Sequence, residues 1–343
     1  MSGSTKAPGL LGKIGKEPGG GALSRRMVAA AAGALLAAPR LARGQGRFPD
    51  RPIRLLVPWP PGGSADAQLR SLADIAQRDL GQPVIVENRP GAGGTLHAPY
   101  IAREARPDGY TIGQMHLSVI RRTFMVRNAQ WDPVADFTPI IGLTGWLFGV
   151  AVRTDSPVRS WADYLARARA NPGRVTFSTS GIATTNHLAM EEIAQKERVE
   201  LTHVPFRGAN EGVTAVLAGQ VDSIADSSTW SPQVEAGKMR LLCVWSAERA
   251  PRFPDVPTLK ELGYDMVVTS PYGLMGPKGM DAGVVRVLHD AFRQALFDPR
   301  NVQVRGQFDM PLEYRSTEEY REFIVKRTEY EREMIRRLDL RVE

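Results

Sequence analysis

From Ile53 onward, short apolar runs alternate with longer stretches whose apolar positions recur every three to four residues. IRLLV (53–57) reads as a strand, Leu69, Leu72, Ile75, Ala76 and Leu80 as one face of a helix closed by Gly81, and VIVEN (84–88) as the next strand. That is a βαβ unit. The pattern continues through a helix at 95–105, a PDG turn at 107–109 and the strand YTIGQM. After a less regular stretch, FGVAVRT (148–154) opens a second series: helix 160–170, an NPG turn, strand RVTFSTS, helix 184–198, strand LTHVPF, helix 210–218, strand SIADS, a short helix near 232–236 and strand MRLLCVWS.

Beyond PDVPTLKELG comes the apolar segment MVVTSPYGLMGP (266–277), then a helix at 282–297 and a long charged terminal helix opened by the capping box Ser316-Thr317-Glu318-Glu319. This last part has no strand series of its own, so its helices are expected to pack back on the first series. The expected architecture is α/β with two lobes: residues 45–147 together with 272–343 form the first, and 148–271 form a second one inserted into it. The apolar segments near 148–154 and 266–277 would be the crossings, with a ligand cleft at the hinge between the lobes.

The first 44 residues do not follow this alternation. Paired Arg25 and Arg26 precede an apolar run from Met27 to Ala38, with small residues at Ala42 and Gly44 that suit a signal peptidase. We read residues 1–44 as a cleaved export signal, which places the mature chain in the periplasm. The alanine-rich run behind two arginines resembles a twin-arginine signal, the general secretory route being the alternative. The run is shorter than the roughly 20 apolar residues a spanning helix needs.

Composition narrows the picture further. With 343 residues, 43% of them hydrophobic and 24% charged, the chain can bury a full core and is long enough for two domains. The net charge of +7 suggests a polyanion until it is located: residues 1–44 hold seven Lys and Arg against Glu17 alone, so the mature chain is nearly neutral. Nucleic acid is therefore not an expected partner. Cys243 is the single cysteine, so no disulfide forms within one chain, and its apolar setting MRLLCVWS reads as a buried strand.

The candidate chemistry sits at strand-to-helix junctions. In VPWPPGGSADAQL (57–69), Gly62 and Gly63 bare the backbone where the first N–H groups of a helix lack intrahelical partners and the helix dipole favours an anion. Ser64 can cap the helix or donate to a ligand. Asp66 would repel a carboxylate; by itself it reads as a stabiliser of the first helical turn, or as an acceptor for a ligand amine, hydroxyl or water. Similar junctions recur at STSGIATTNHLA (178–189) and VPFRGANEGV (204–213). Open α/β sheets bind ligands at such strand ends.

The ordered blocks FPDRPIRLLVPWPPGGSAD, GQPVIVENRPGAGG, RPDGYTIG, DPVADFTPI, NPGRVTFSTSG, HVPFRGANEGVTAVLAGQVDSIAD and RFPDVPTLKELGY resemble those of the Bug family over essentially the whole mature chain. That family comprises the extracytoplasmic solute receptors of tripartite tricarboxylate transporters, with a type II periplasmic binding protein fold. The resemblance implies a small organic carboxylate as ligand (a di- or tricarboxylate, an acidic amino acid or an aromatic acid), membrane permease subunits as partners, a monomer, no cofactor, no metal and no enzymatic activity. It implies ligand roles for Gly62, Gly63, Ser64 and Asp66 on the first lobe, and for Ser180, Thr184, Thr185, Arg207, Gly208 and Asp226 on the second. Trp59, where the family often has phenylalanine, would be an apolar wall.

Several positions depart from the family pattern. Ala183 replaces a glycine, Asn210-Glu211 replaces a Pro-Ala pair, His97 stands near a usual Asn-x-Gly, and MHLSVIRR brings His116 and Arg121 in place of a smaller loop. A periplasmic sensor that signals to a membrane kinase is the alternative, since it would use the same closure. An enzyme is disfavoured: no G-x-S-x-G, Walker A or H-E-x-x-H motif occurs, and the five histidines show no metal-ligand spacing.

Overall fold

The computed structural model describes residues 48–338, 340 and 341; the export segment read at 1–44 lies outside them. The first strands are Ile53–Val57 (β1), Val84–Asn88 (β2), Thr111–Met115 (β3) and Phe137–Thr144 (β4). Then come Phe148–Arg153 (β5), Val175–Thr179 (β6), Leu201–Pro205 (β7), Ser223–Ser227 (β8) and Met239–Val244 (β9), followed by Tyr272–Pro277 (β10) and Leu312–Arg315 (β11). They form a six-stranded sheet in the order β11-β4-β10-β3-β1-β2 and a five-stranded sheet in the order β7-β6-β8-β5-β9. Every strand of the second sheet lies between those that build the first.

In the first sheet β1 pairs parallel with β2 and β3, whereas β10 runs antiparallel to both β3 and β4. Ile53, Leu55, Leu56 and Val57 are fully buried, as expected of a strand with neighbours on both edges and cover on both faces. The helix Ser64–Leu80 (α1) buries the predicted face, Leu69, Leu72, Ile75, Ala76 and Leu80, and ends on Gly81 in the left-handed conformation at φ +66°. It packs against the later helices Ala282–Phe297 (α8) and Pro299–Gln307 (α9), so the C-terminal segment does return to the first sheet.

In the second sheet β6 is parallel to β7 and β8, and β5 runs antiparallel between β8 and β9. Its helices are Trp161–Ala170 (α4), Thr185–Glu197 (α5), Ala209–Leu217 (α6) and Ser231–Glu235 (α7). Cys243 is buried in β9, and burial pushes its thiol up to about 12, so it is an inert core group. The chain passes between sheets at 145–147 and again after β9, and the two passages are bonded side by side: Trp146 N donates to Thr269 O at 2.7 Å and Val268 N to Trp245 O at 2.8 Å.

Four elements were not legible as such. After the expected helix, observed as His97–Arg103 (α2), the irregular stretch contains a helix Leu117–Arg121 (α3) and the eight-residue β4, whose burial at seven of eight positions removes the alternation that marks a half-exposed strand. Within 266–277 only Tyr272–Pro277 is strand, and it lies in the middle of the first sheet. The short polar α9 buries only Asn301 and Arg305, and β11 is an edge strand of four residues. The terminal helix Thr317–Leu338 (α10) does open with the foreseen box: Ser316 N donates to Glu319 Oε2 at 2.8 Å and Glu319 N to Ser316 Oγ at 3.3 Å.

Candidate functional site

The N-terminal ends of α1, α5 and α6 meet at one cavity between the two sheets, lined among others by Gly63, Ser64, Thr184, Thr185, Gly208 and Ala209. The first N–H groups of each helix have no intrahelical acceptor, and each dipole brings partial positive charge to its end. Gly63 and Gly208 precede α1 and α6 and offer no side-chain cap; of the first N–H groups, Ser64 N donates weakly to Thr229 Oγ1 at 3.4 Å. Among the described residues no Lys or Arg lines the cavity, and the ionisable ones that do are His116 and Asp226. An anion placed here would meet peptide dipoles and hydroxyls and no cationic side chain of the lining.

Beneath the first loop lies Asp66, 2% exposed and outside the lining. Its carboxylate accepts from Gly62 N at 2.9 Å, Asn88 Nδ2 at 2.7 Å and Arg70 Nε at 3.0 Å. Gly62 is left-handed at φ +86° and is likewise absent from the lining. Asp66 thus tethers the turn that presents Gly63 and Ser64. Asn88 also donates to Trp59 O at 2.8 Å, and Trp59 Nε1 donates to Gln114 Oε1 at 3.0 Å, so the indole is fixed as a cavity wall.

On the second sheet, β8 carries Asp226 into the lining, where Ser180 Oγ at 2.6 Å, Asn186 Nδ2 at 2.9 Å and Ser227 N at 2.7 Å all donate to it. Burial raises the pKa of its carboxyl, against the lowering effect of these hydrogen bonds. The carboxylate orients Ser180 and Asn186, both cavity residues. Thr184 caps α5 by accepting from His187 N, and its own hydroxyl donates to Gly181 O at 2.8 Å. Ala183 is left-handed at φ +62°, the conformation that glycine would supply without strain.

Arg207 is turned away from the cavity. Its guanidinium donates to Glu211 at 2.8 and 3.0 Å, its side chain is 71% exposed, and it lines a separate open groove with Gly91 and Phe206. Of the sequence candidates, Trp59, Gly63, Ser64, Ser180, Thr184, Thr185, Gly208 and Asp226 meet at the cavity, whereas Gly62, Asp66 and Arg207 do not.

Arg121 is also outside it: buried, it pairs with Glu331 at 2.6 Å and donates to Ala183 O at 3.2 Å. Among lining residues that sequence reasoning missed, Ser227 and Thr229 follow β8 much as the recognised loops follow their strands. Trp146 and Ser270 come from the two crossings and carry no local signal.

The walls touch directly. Asn210 Nδ2 donates to Pro61 O at 3.0 Å, and Ser64 Oγ donates to Ser227 Oγ at 3.3 Å. The cavity left between them is about 50 Å³. A cavity that takes up benzene is about 150 Å³, so the walls are closely apposed in this conformation and a ligand enters only when they part.

This fold and cavity define a member of the periplasmic binding protein class. The family described as tripartite tricarboxylate transporter family receptor matches residues 68–340. The chain is 46% identical over 319 residues to the UPF0065 protein in gbd 5'region of Cupriavidus necator, covering 93% of this chain and 97% of the relative. It superposes on the periplasmic binding protein BugD with a TM-score of 0.81 at 28% identity, covering 86% of this chain and all (100%) of BugD. On MatC from Rhodopseudomonas palustris with bound malate it superposes with a TM-score of 0.78 at 26% identity, covering 84% of this chain and 100% of MatC. The chain belongs to the tripartite tricarboxylate transporter receptor family.

Proposed function

We propose that the mature chain is an exported receptor that closes on a small organic carboxylate and hands it to the permease subunits of a membrane transporter. The observation that carries this reading is the convergence of three helix N-termini on one cavity that, among the described residues, has no lysine or arginine in its wall. The malate in MatC supports a carboxylate as the ligand class. The residues around the first sheet and those around the second act as two lobes, 45–147 with 272–343 and 148–271, hinged at the paired crossings. Ligand contacts on both lobes favour the closed form, which is the form a membrane partner recognises. The receptor works as a monomer and catalyses no reaction on its ligand.

A thermal-shift screen of residues 45–343 against di- and tricarboxylates, acidic amino acids and aromatic acids, followed by calorimetry, tests the reading. Affinity at or below micromolar, about −8 kcal/mol, with one-to-one stoichiometry is expected, and NMR should find the ligand chemically unchanged. Turnover of the ligand, or no stabilisation by any carboxylate, would refute it.

A further inference from the structure

The ring of His116 lines the cavity, with its centroid 5.1 Å from that of Trp59 and 6.2 Å from that of Trp146. Its Nε2 lies 3.0 Å from the carbonyl oxygen of Gly94. A carbonyl can only accept, so Nε2 carries a proton. Burial pushes the pKa of this imidazole down to about 3, which leaves it neutral and makes Nδ1 a lone-pair acceptor.

That acceptor has no donor from the protein among the described residues. His116 immediately precedes α3 yet makes no side-chain bond to its N–H groups. Trp59 Nε1 is already bonded to Gln114, and neighbouring His97 places its own Nε2 2.6 Å from Gln114 O. The serine and threonine hydroxyls around the cavity can donate or accept and so tolerate either kind of ligand group. Nδ1 cannot adapt in this way.

We propose that His116 determines specificity by accepting a hydrogen bond from the ligand, so that this receptor selects hydroxy-carboxylates over the same acids without the hydroxyl. The carboxylate lies at the helix N-termini and the hydroxyl turns toward the aromatic wall. A ligand lacking that donor strands Nδ1 in a closed, water-poor site. The proposal rests on the carboxylate-receptor reading of the same cavity.

Calorimetry with matched pairs, malate and succinate, lactate and propionate, mandelate and phenylacetate, tests it on wild type, His116→Phe and His116→Asn. In wild type the hydroxylated member of the pair that fits should bind about tenfold tighter or more. His116→Phe keeps a ring but no acceptor and should erase the preference mainly by weakening the hydroxy acid; His116→Asn restores a carbonyl acceptor and should recover part of it.

The 15N resonance of Nδ1 in wild type provides a measurement that needs no variant: it should move on binding the hydroxylated member only. Equal binding within every pair, or a preference unchanged in His116→Phe, overturns the role of His116 while leaving the carboxylate receptor intact. Failure of every acid in the pairs and in the wider carboxylate screen overturns both.

Discussion

Gly208→Ala tests whether the two walls of the cavity close on each other as a working motion. Gly208 has φ −173°, extended backbone open to any residue, so alanine brings no conformational strain. Its added Cβ would lie 2.5 Å from Cδ and 2.9 Å from Cγ of Pro60, on the opposite wall. Carbon atoms in contact settle at about 3.5–4.0 Å, so the walls must stand about 1 Å further apart. Overpacking of this kind costs about 1–3 kcal/mol, because neither the proline ring nor the backbone can swing away. The penalty falls on the closed form alone.

Ligand affinity should therefore drop about 5- to 150-fold. The unliganded protein, free to open, should lose no more than about 3 °C in Tm, since 1 kcal/mol shifts a chain of this size by about 1.5–2 °C. Calorimetry with the best-binding carboxylate, beside a thermal melt without ligand, measures both. Affinity within twofold of wild type would show that Pro60 and Gly208 do not meet in the ligand-bound form. A fall of 10 °C or more without ligand would make the contact part of the resting fold instead.

Asp66→Ala should destabilise the protein by about 2 kcal/mol in urea denaturation by stranding the Gly62 N–H and Asn88, and should weaken binding through a loosened loop; unchanged stability would contradict the tether. Arg121→Met leaves Glu331, fully buried, with Arg327 as its remaining ion-pair partner among the described residues, and should cost about 3 kcal/mol or more, while the double variant with Glu331→Met should recover much of the loss; additive losses would refute the pairing. Folded-state values are held down to about 3 at His116 and about 4 at His97 by full burial, and to about 3 at the half-buried His203 by partial burial and the neighbouring His187, so below pH 6.5 the unfolded chain binds protons that the fold refuses. Stability should fall as pH drops from 7 to 5, by at most about 1.4 kcal/mol per pH unit for each of the buried His97 and His116 and by less for the half-buried His203, and His116→Gln should reduce that slope; a flat profile over this window would contradict neutral, buried rings.

The βαβ rhythm was legible because α1 and the strands beside it obey their periods: Leu69, Leu72 and Ile75 face the core, and Gly81 stops the helix where a left-handed residue is needed. The loops after β1, β6 and β7 were legible for the same reason, since glycine and hydroxyl residues at strand ends bare helix N-termini. What escaped is what depends on distant chain. Asp66 looks like a ligand residue until Asn88 and Arg70 are seen to occupy its carboxylate. Arg207 looks like an anion contact until Glu211, one helical turn on, takes its guanidinium. Trp146 and Ser270 reach the cavity only because the two crossings are bonded together, a pairing with no period of its own.

The most direct test of the central claim is a crystal structure of the mature chain with its tightest-binding carboxylate. A ligand carboxylate oxygen should lie about 2.7–3.1 Å from backbone N–H groups in the first turns of α1, α5 or α6, with both sheets contributing and no arginine or lysine in contact. A carboxylate clamped by a cationic side chain such as Arg122 or Arg207 in the outer groove, with the cavity between the sheets left to water, would contradict it.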